Sequence, residues 1–137
     1  MAEIIQGRGV TPGRVEGRAF VCPGGLTGWG GVDPLTGIIK DVESPFCGQS
    51  IQDVILVLPG SRGSNGWSCY FTATHLAGKG PKAMVVSRVD SSVGVALACM
   101  NIPAVVDFAP ADDPCFTIPH GARVIVDGTT GTVEIIG

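Results

Sequence analysis

Residues 59–66 read Pro-Gly-Ser-Arg-Gly-Ser-Asn-Gly and directly follow the apolar run Val54, Ile55, Leu56, Val57, Leu58. Ser61 and Ser64 bring hydroxyls, Arg62 a guanidinium able to clamp a carboxylate through two bonds, and Asn65 an amide. The glycines at 60, 63 and 66 let a ligand approach the backbone closely. If a helix follows this loop, its N-terminal N–H groups point at the same spot and favour an anionic group of a small substrate. On residue types alone, Ser64 or Asn65 serves equally well as a helix N-cap and Arg62 as a solvated charge. The Gly-Lys-Ser/Thr ending of a nucleotide-binding loop is absent, as is a G-x-S-x-G elbow. Two histidines, His75 in a helical stretch and His120 in a turn, read as structural, so no Ser-His-Asp arrangement emerges. Asp112 and Asp113 sit between prolines and read as a surface turn. The loop thus resembles half of an active site.

The elements that would position it follow from hydrophobic pattern. Val54 to Leu58 is uniformly apolar and ends at Pro59-Gly60, as a strand buried on both faces does. Residues 67–77 read as a helix stopped by Gly78 and Gly80-Pro81. Residues 83–86 form a second buried strand, which completes a strand–loop–helix–strand unit. A strand over 15–22, a small-residue helix over 93–100 and a strand over 103–107 complete the middle. Residues 123–128 and 132–135 alternate around a Gly-rich turn and form a hairpin. Residues 23–50 lack periodicity, and so long a loop in a compact domain is usually functional. With 137 residues, 21 of them Gly and 10 Pro, the chain reads as one α/β domain over 1–137 with a mixed sheet and short helices.

Composition narrows the function. Charged residues make up 15% of the chain, against about 25% in an average domain, which suggests a surface partly covered by a partner. The net charge of −3 and the lack of a basic stripe argue against nucleic acid. No run approaches the roughly 20 apolar residues of a membrane helix. The N-terminus lacks a basic region followed by an apolar one, so a cytoplasmic location is expected. Five widely spaced cysteines without a CxxC pair read as buried small apolar residues, and no metal site is expected in this chain.

Four segments resemble the small subunit of aconitase X, the swivel domain of the aconitase superfamily. They are Gly7-Arg8-Gly9-Val10-Thr11-Pro12-Gly13 with residues 15–19, Trp29-Gly30-Gly31-Val32-Asp33-Pro34-Leu35-Thr36-Gly37, Phe46-Cys47-Gly48-Gln49-Ser50 leading into 55–59, and Ser61-Arg62-Gly63-Ser64. The resemblance covers nearly the whole chain. It implies a swivelling β/β/α domain that opens with two strands, over residues 7–13 and 15–19. It implies a hydro-lyase acting on a small hydroxy acid, with a large subunit as partner in a heterodimer or higher assembly. That partner is expected to hold iron or an iron–sulfur cluster, with no cofactor bound by this chain alone. Ser64 takes the position of the family's proton-accepting serine. Gly30, Gly31, Val32, Asp33, Ser61, Arg62, Gly63 and Asn65 are expected to line the substrate. Trp29 leans the substrate toward cis-3-hydroxy-L-proline, with phosphomevalonate as the alternative. A phosphohistidine swivel domain shares the look of residues 101–106 and 126–133, but Ser91-Ser92 stands where that family has Ser-His. A non-catalytic scaffold subunit also remains open.

Overall fold

The computed structural model describes residues 3–22, 32–33, 35–40, 46–60 and 67–137, without the side chains of 67–70. Eight strands form one mixed sheet in the order β1-β8-β7-β3-β4-β5-β6-β2. The strands are β1 (Glu3–Gln6), β2 (Arg8–Thr11), β3 (Arg14–Val21), β4 (Ile55–Leu58), β5 (Ala83–Val86), β6 (Ala104–Val106), β7 (Arg123–Asp127) and β8 (Thr132–Ile135). The helices are α1 (Trp67–Leu76), α2 (Ser91–Met100) and the short α3 (Pro114–Thr117), which follows a 3-10 turn at Pro110–Asp112.

The four-residue strands β4 and β5 are buried along their whole length. Successive side chains point to opposite faces, so a fully apolar strand needs cover on both. Leu56, Leu58, Met84 and Val86 pack toward Phe71 of α1 and Val93, Ala96 and Leu97 of α2. Ile55, Val57, Ala83 and Val85 pack instead with Val124, Val126, Val133 and Ile135 of the β7–β8 hairpin. The result is three layers, sheet on sheet on helices. β3 joins the two sheet layers. Its first half pairs antiparallel with β7, and Ala19–Val21 pairs parallel with β4.

β1 and β2 lie at opposite ends of the strand order yet are separated only by Gly7, so the sheet must curl until its ends meet. The Gly7 N–H donates to the Gly131 carbonyl at 2.8 Å and fastens that closure. The two opening strands form as β2 and β3, but β2 pairs with β6 and β3 with β4 and β7. The N-terminal segment is spent on closing the sheet. α2 begins at Ser91, two residues earlier than its pattern suggests. Asp90 caps it by accepting the Val93 N–H at 2.9 Å, and Asn101 ends it at φ 54°. Among the described residues, no helix is long and apolar enough to cross a membrane.

Candidate functional site

β3, β4, β5 and β6 run parallel and in register, with Val21 beside Val57, Leu58 beside Val86, and Val86 beside Val106. Their C-terminal ends therefore fall on one edge, where sites of parallel α/β sheets are built. The Cys22 N–H donates to the Val57 carbonyl at 3.0 Å, and the Ser87 N–H to the Leu58 carbonyl at 2.9 Å. The chain leaving β3 leads to Gly30–Asp33, and the chain leaving β4 leads to Ser61–Asn65. Register alone makes the chain leave β3 and β4 at the same edge. Ser61, Arg62, Gly63, Ser64 and Asn65, with Gly30 and Gly31, lie outside the described residues, as does Trp29.

Two of the expected substrate-lining residues are described. Val32 is buried in the helix-side core and directs no side chain to solvent. Asp33 organises its own turn. Its Oδ1 accepts the Leu35 N–H at 2.9 Å, its carbonyl accepts the Gly37 N–H at 2.7 Å, and Lys40 Nζ lies 3.4 Å from its Oδ2. The Leu35 N–H, then Lys40, hold its carboxyl below the usual carboxylate range. Ionised Asp33 thereby fixes the shape of the loop that carries it.

At the same edge lies an open polar cleft of about 530 Å³, lined among the described residues by Ser87, Arg88, Val89, Asp107, Phe108 and Ala109. The loop after β4 starts on its rim. A side chain at Gly60 would stand 3.2 Å from Asp90 Oδ2 and 3.5 Å from the Arg88 carbonyl. Asp107 adopts φ 59° and turns its carboxylate back across the strand ends. One oxygen accepts the Val89 N–H at 2.8 Å and the other meets Arg8 at 2.7 Å. These two contacts, the N–H first, hold Asp107 ionised.

Behind the cleft, Asp113 Oδ1 accepts the Ser87 hydroxyl at 2.7 Å and the Cys115 N–H at 3.0 Å. Asp113 is thus no surface turn; it caps α3 and fixes a serine at the cleft. The flanking prolines, read as turn formers, set the 3-10 turn and α3 that bring it there. Sequence reading missed Ser87 and Arg88. The usable signal was a Ser-Arg pair directly after a buried strand, the same order as Ser61-Arg62 after Pro59-Gly60.

The cysteines divide. Cys22 and Cys115 are buried as expected, whereas Cys47 and Cys99 are exposed. Burial, then the neighbouring Cys115, pushes the Cys22 thiol up to about 12. Burial likewise raises Cys115. Without a metal beside them such thiols stay protonated. Among the described residues no group of three or more His, Cys, Asp or Glu is placed to hold a metal. These residues therefore do not fit an iron centre.

His120 anchors the loop before β4. Its ring stacks on Phe46, with centroids 4.5 Å apart and planes at 16°, and meets Phe20 edge-on at 5.0 Å. Its Nδ1 accepts the Val21 N–H at 3.1 Å, which assigns the ring proton to Nε2. Burial, then Arg18, lowers its pKa. The unfolded chain therefore binds this proton more readily. The stabilisation is complete above the ordinary histidine value of about 6.5 and is lost as pH falls through the lower folded value. The thermal midpoint should fall between about pH 7 and 5, and His120→Gln should flatten that dependence. Identical slopes in the two proteins would remove His120 from the account.

A family model for the aconitase X swivel domain matches residues 4–135. This chain belongs to the aconitase X swivel-domain family. The phosphomevalonate dehydratase small subunit of Pyrococcus furiosus is 38% identical over 132 residues, 96% of this chain and 95% of that protein. The corresponding subunit of Archaeoglobus fulgidus is 34% identical over 130 residues, 94% of this chain and 96% of that one. The crystal structure of Thermococcus kodakaraensis aconitase X, holo-form, superposes with a TM-score of 0.89 at 36% identity, covering 98% and 99% of the two chains. The aconitase X fold expected from the four sequence segments is the fold observed.

Proposed function

We propose that this chain is the small subunit of a two-chain dehydratase of the aconitase X family, acting on phosphomevalonate, with Ser64 as the proton acceptor. The observation that supports it most is near full-length similarity to relatives named as phosphomevalonate dehydratase small subunits. They favour phosphomevalonate over cis-3-hydroxy-L-proline, for which the lead was Trp29.

The geometry supports a shared site. The β4 loop and the β3 exit depart from one sheet edge beside an open cleft, and the described residues hold no complete catalytic set. A large subunit would close that edge and is proposed to carry the iron or iron–sulfur centre. Ser64 would take a proton from the carbon next to the substrate carboxylate while the hydroxyl on the neighbouring carbon leaves as hydroxide, so that a carbon–carbon double bond forms; the proton taken by Ser64 is then released and, with the hydroxide, makes up the water. A serine acts as a base only if its alkoxide is stabilised. Loop amides, Arg62 and the N-terminus of α1 are suited to that. A cytoplasmic location fits such an enzyme.

The complex of the two chains should dehydrate phosphomevalonate and leave cis-3-hydroxy-L-proline unchanged. Turnover of the proline alone would reverse the substrate assignment.

A further inference from the structure

Arg88 lines the cleft, and a second arginine, Arg8, pairs with the cleft residue Asp107. Arg8 Nη2 is held by Asp107 at 2.7 Å. Arg88 lines the cleft, is exposed, and makes no ion pair with another described residue. Its backbone is nonetheless fixed, with its N–H donated to the Pro59 carbonyl at 3.3 Å. The cleft therefore presents one anchored guanidinium that interacts with Asp107 through space but is not ion-paired to it, a donor fork suited to a carboxylate or a phosphate.

Beside it, Ser87 is held from three sides. Its N–H donates to Leu58, its carbonyl accepts the Phe108 N–H at 3.1 Å, and its hydroxyl donates to Asp113 Oδ1 at 2.7 Å. The single hydroxyl hydrogen is thereby committed. The 3.4 Å contact with Cys115 Sγ then has the thiol as donor. Ser87 Oγ can then take a further hydrogen bond only as an acceptor, matched to a hydroxyl and not to an anion. A cation and a hydrogen-bond acceptor side by side are complementary to a hydroxy acid.

We infer that the cleft at the ends of β5 and β6 is a substrate subsite, in which Arg88 binds an anionic group of the hydroxy acid and Ser87 Oγ accepts a hydrogen bond from one of its hydroxyls. This rests on the dehydratase reading and adds to it two residues that contact substrate. Asp113 is the positioning residue that fixes which way the Ser87 hydroxyl points.

The test uses the complex of both chains with Ser64→Ala, so that ligand binds without turning over. Phosphomevalonate and mevalonate are titrated calorimetrically. Adding Arg88→Gln should weaken binding about tenfold, the loss of roughly 1.4 kcal/mol, with Arg88→Lys intermediate. A loss confined to phosphomevalonate places the phosphate at Arg88, and an equal loss for both ligands places the carboxylate there. Ser87→Ala should weaken both ligands several-fold. Affinities within twofold of the parent for Arg88→Gln, or loss of co-elution with the large chain, would overturn the subsite. Parental complexes that bind neither ligand would overturn the dehydratase reading and the subsite with it. Normal binding by the parent with no effect of Arg88→Gln would sink the subsite alone.

Discussion

Replacing Ser64 with alanine is expected to lower turnover by the two-chain enzyme about 10²- to 10⁴-fold, the usual contribution of a positioned proton acceptor. Substrate affinity and co-elution with the large chain should remain. The expectation has two supports. By resemblance Ser64 takes the place of the family's proton-accepting serine, and the chain leaves β4 at the same edge as the cleft. A neighbouring serine separates chemistry from loop disturbance. Ser61→Ala keeps the loop's glycines and should cost far less. Turnover by Ser64→Ala within twofold of the parent would remove Ser64 from the chemistry.

Gly128→Ala should be among the most damaging single changes to the fold. A methyl group there would run into the Thr11 carbonyl, and one at Gly9 would run into the Gly128 carbonyl. The obstacles are backbone atoms on different strands, so no side-chain rotation relieves them. β2 passes close over the β7–β8 turn at this point, where the curled sheet closes on itself. The turn cannot back away, because Asp127 Oδ1 accepts the N–H groups of Thr129 and Thr130 and the Gly128 N–H is bonded to Gly13 at 2.8 Å. Overpacking against backbone falls at the upper end of the usual range, about 3 kcal/mol. For a domain of this size that lowers the melting temperature by roughly 10 °C. Gly94→Ala is the control, since nothing lies within 4 Å of its added carbon and it sits inside α2. It should be neutral or slightly stabilising. A Gly128→Ala protein that melts with the parent would refute the closure described for the sheet.

The middle of the chain was legible because its signals are local. β4 and β5 are unbroken apolar runs, and both helices end where Gly or Asn stands. β7 and β8 alternate as a two-faced hairpin should. What was not legible depends on partners far along the chain. β1 is four residues long, and only its pairing with β8 makes it a strand. The pairing of β2 with β6 is decided by sheet closure, which the motif around Gly7 to Gly13 does not encode. Asp113 looked like a turn residue because its partners, Ser87 and Cys115, are visible only in three dimensions. For the site the division runs the other way. Ser64 stands out in sequence through its motif, while Ser87 and Arg88 offer only a Ser-Arg pair after a buried strand and gain their meaning from the cleft they line. Val32 belongs to a conspicuous segment, yet its side chain serves the core.

The central claim is that this chain contributes one side of a site that a second chain completes. It is tested most directly by titrating this chain into a fixed amount of the large subunit while following dehydration of phosphomevalonate. The account predicts no turnover by either chain alone and a rate that rises and saturates at equal amounts of the two. Steady turnover by either chain alone, or a rate indifferent to the addition of this one, would contradict it.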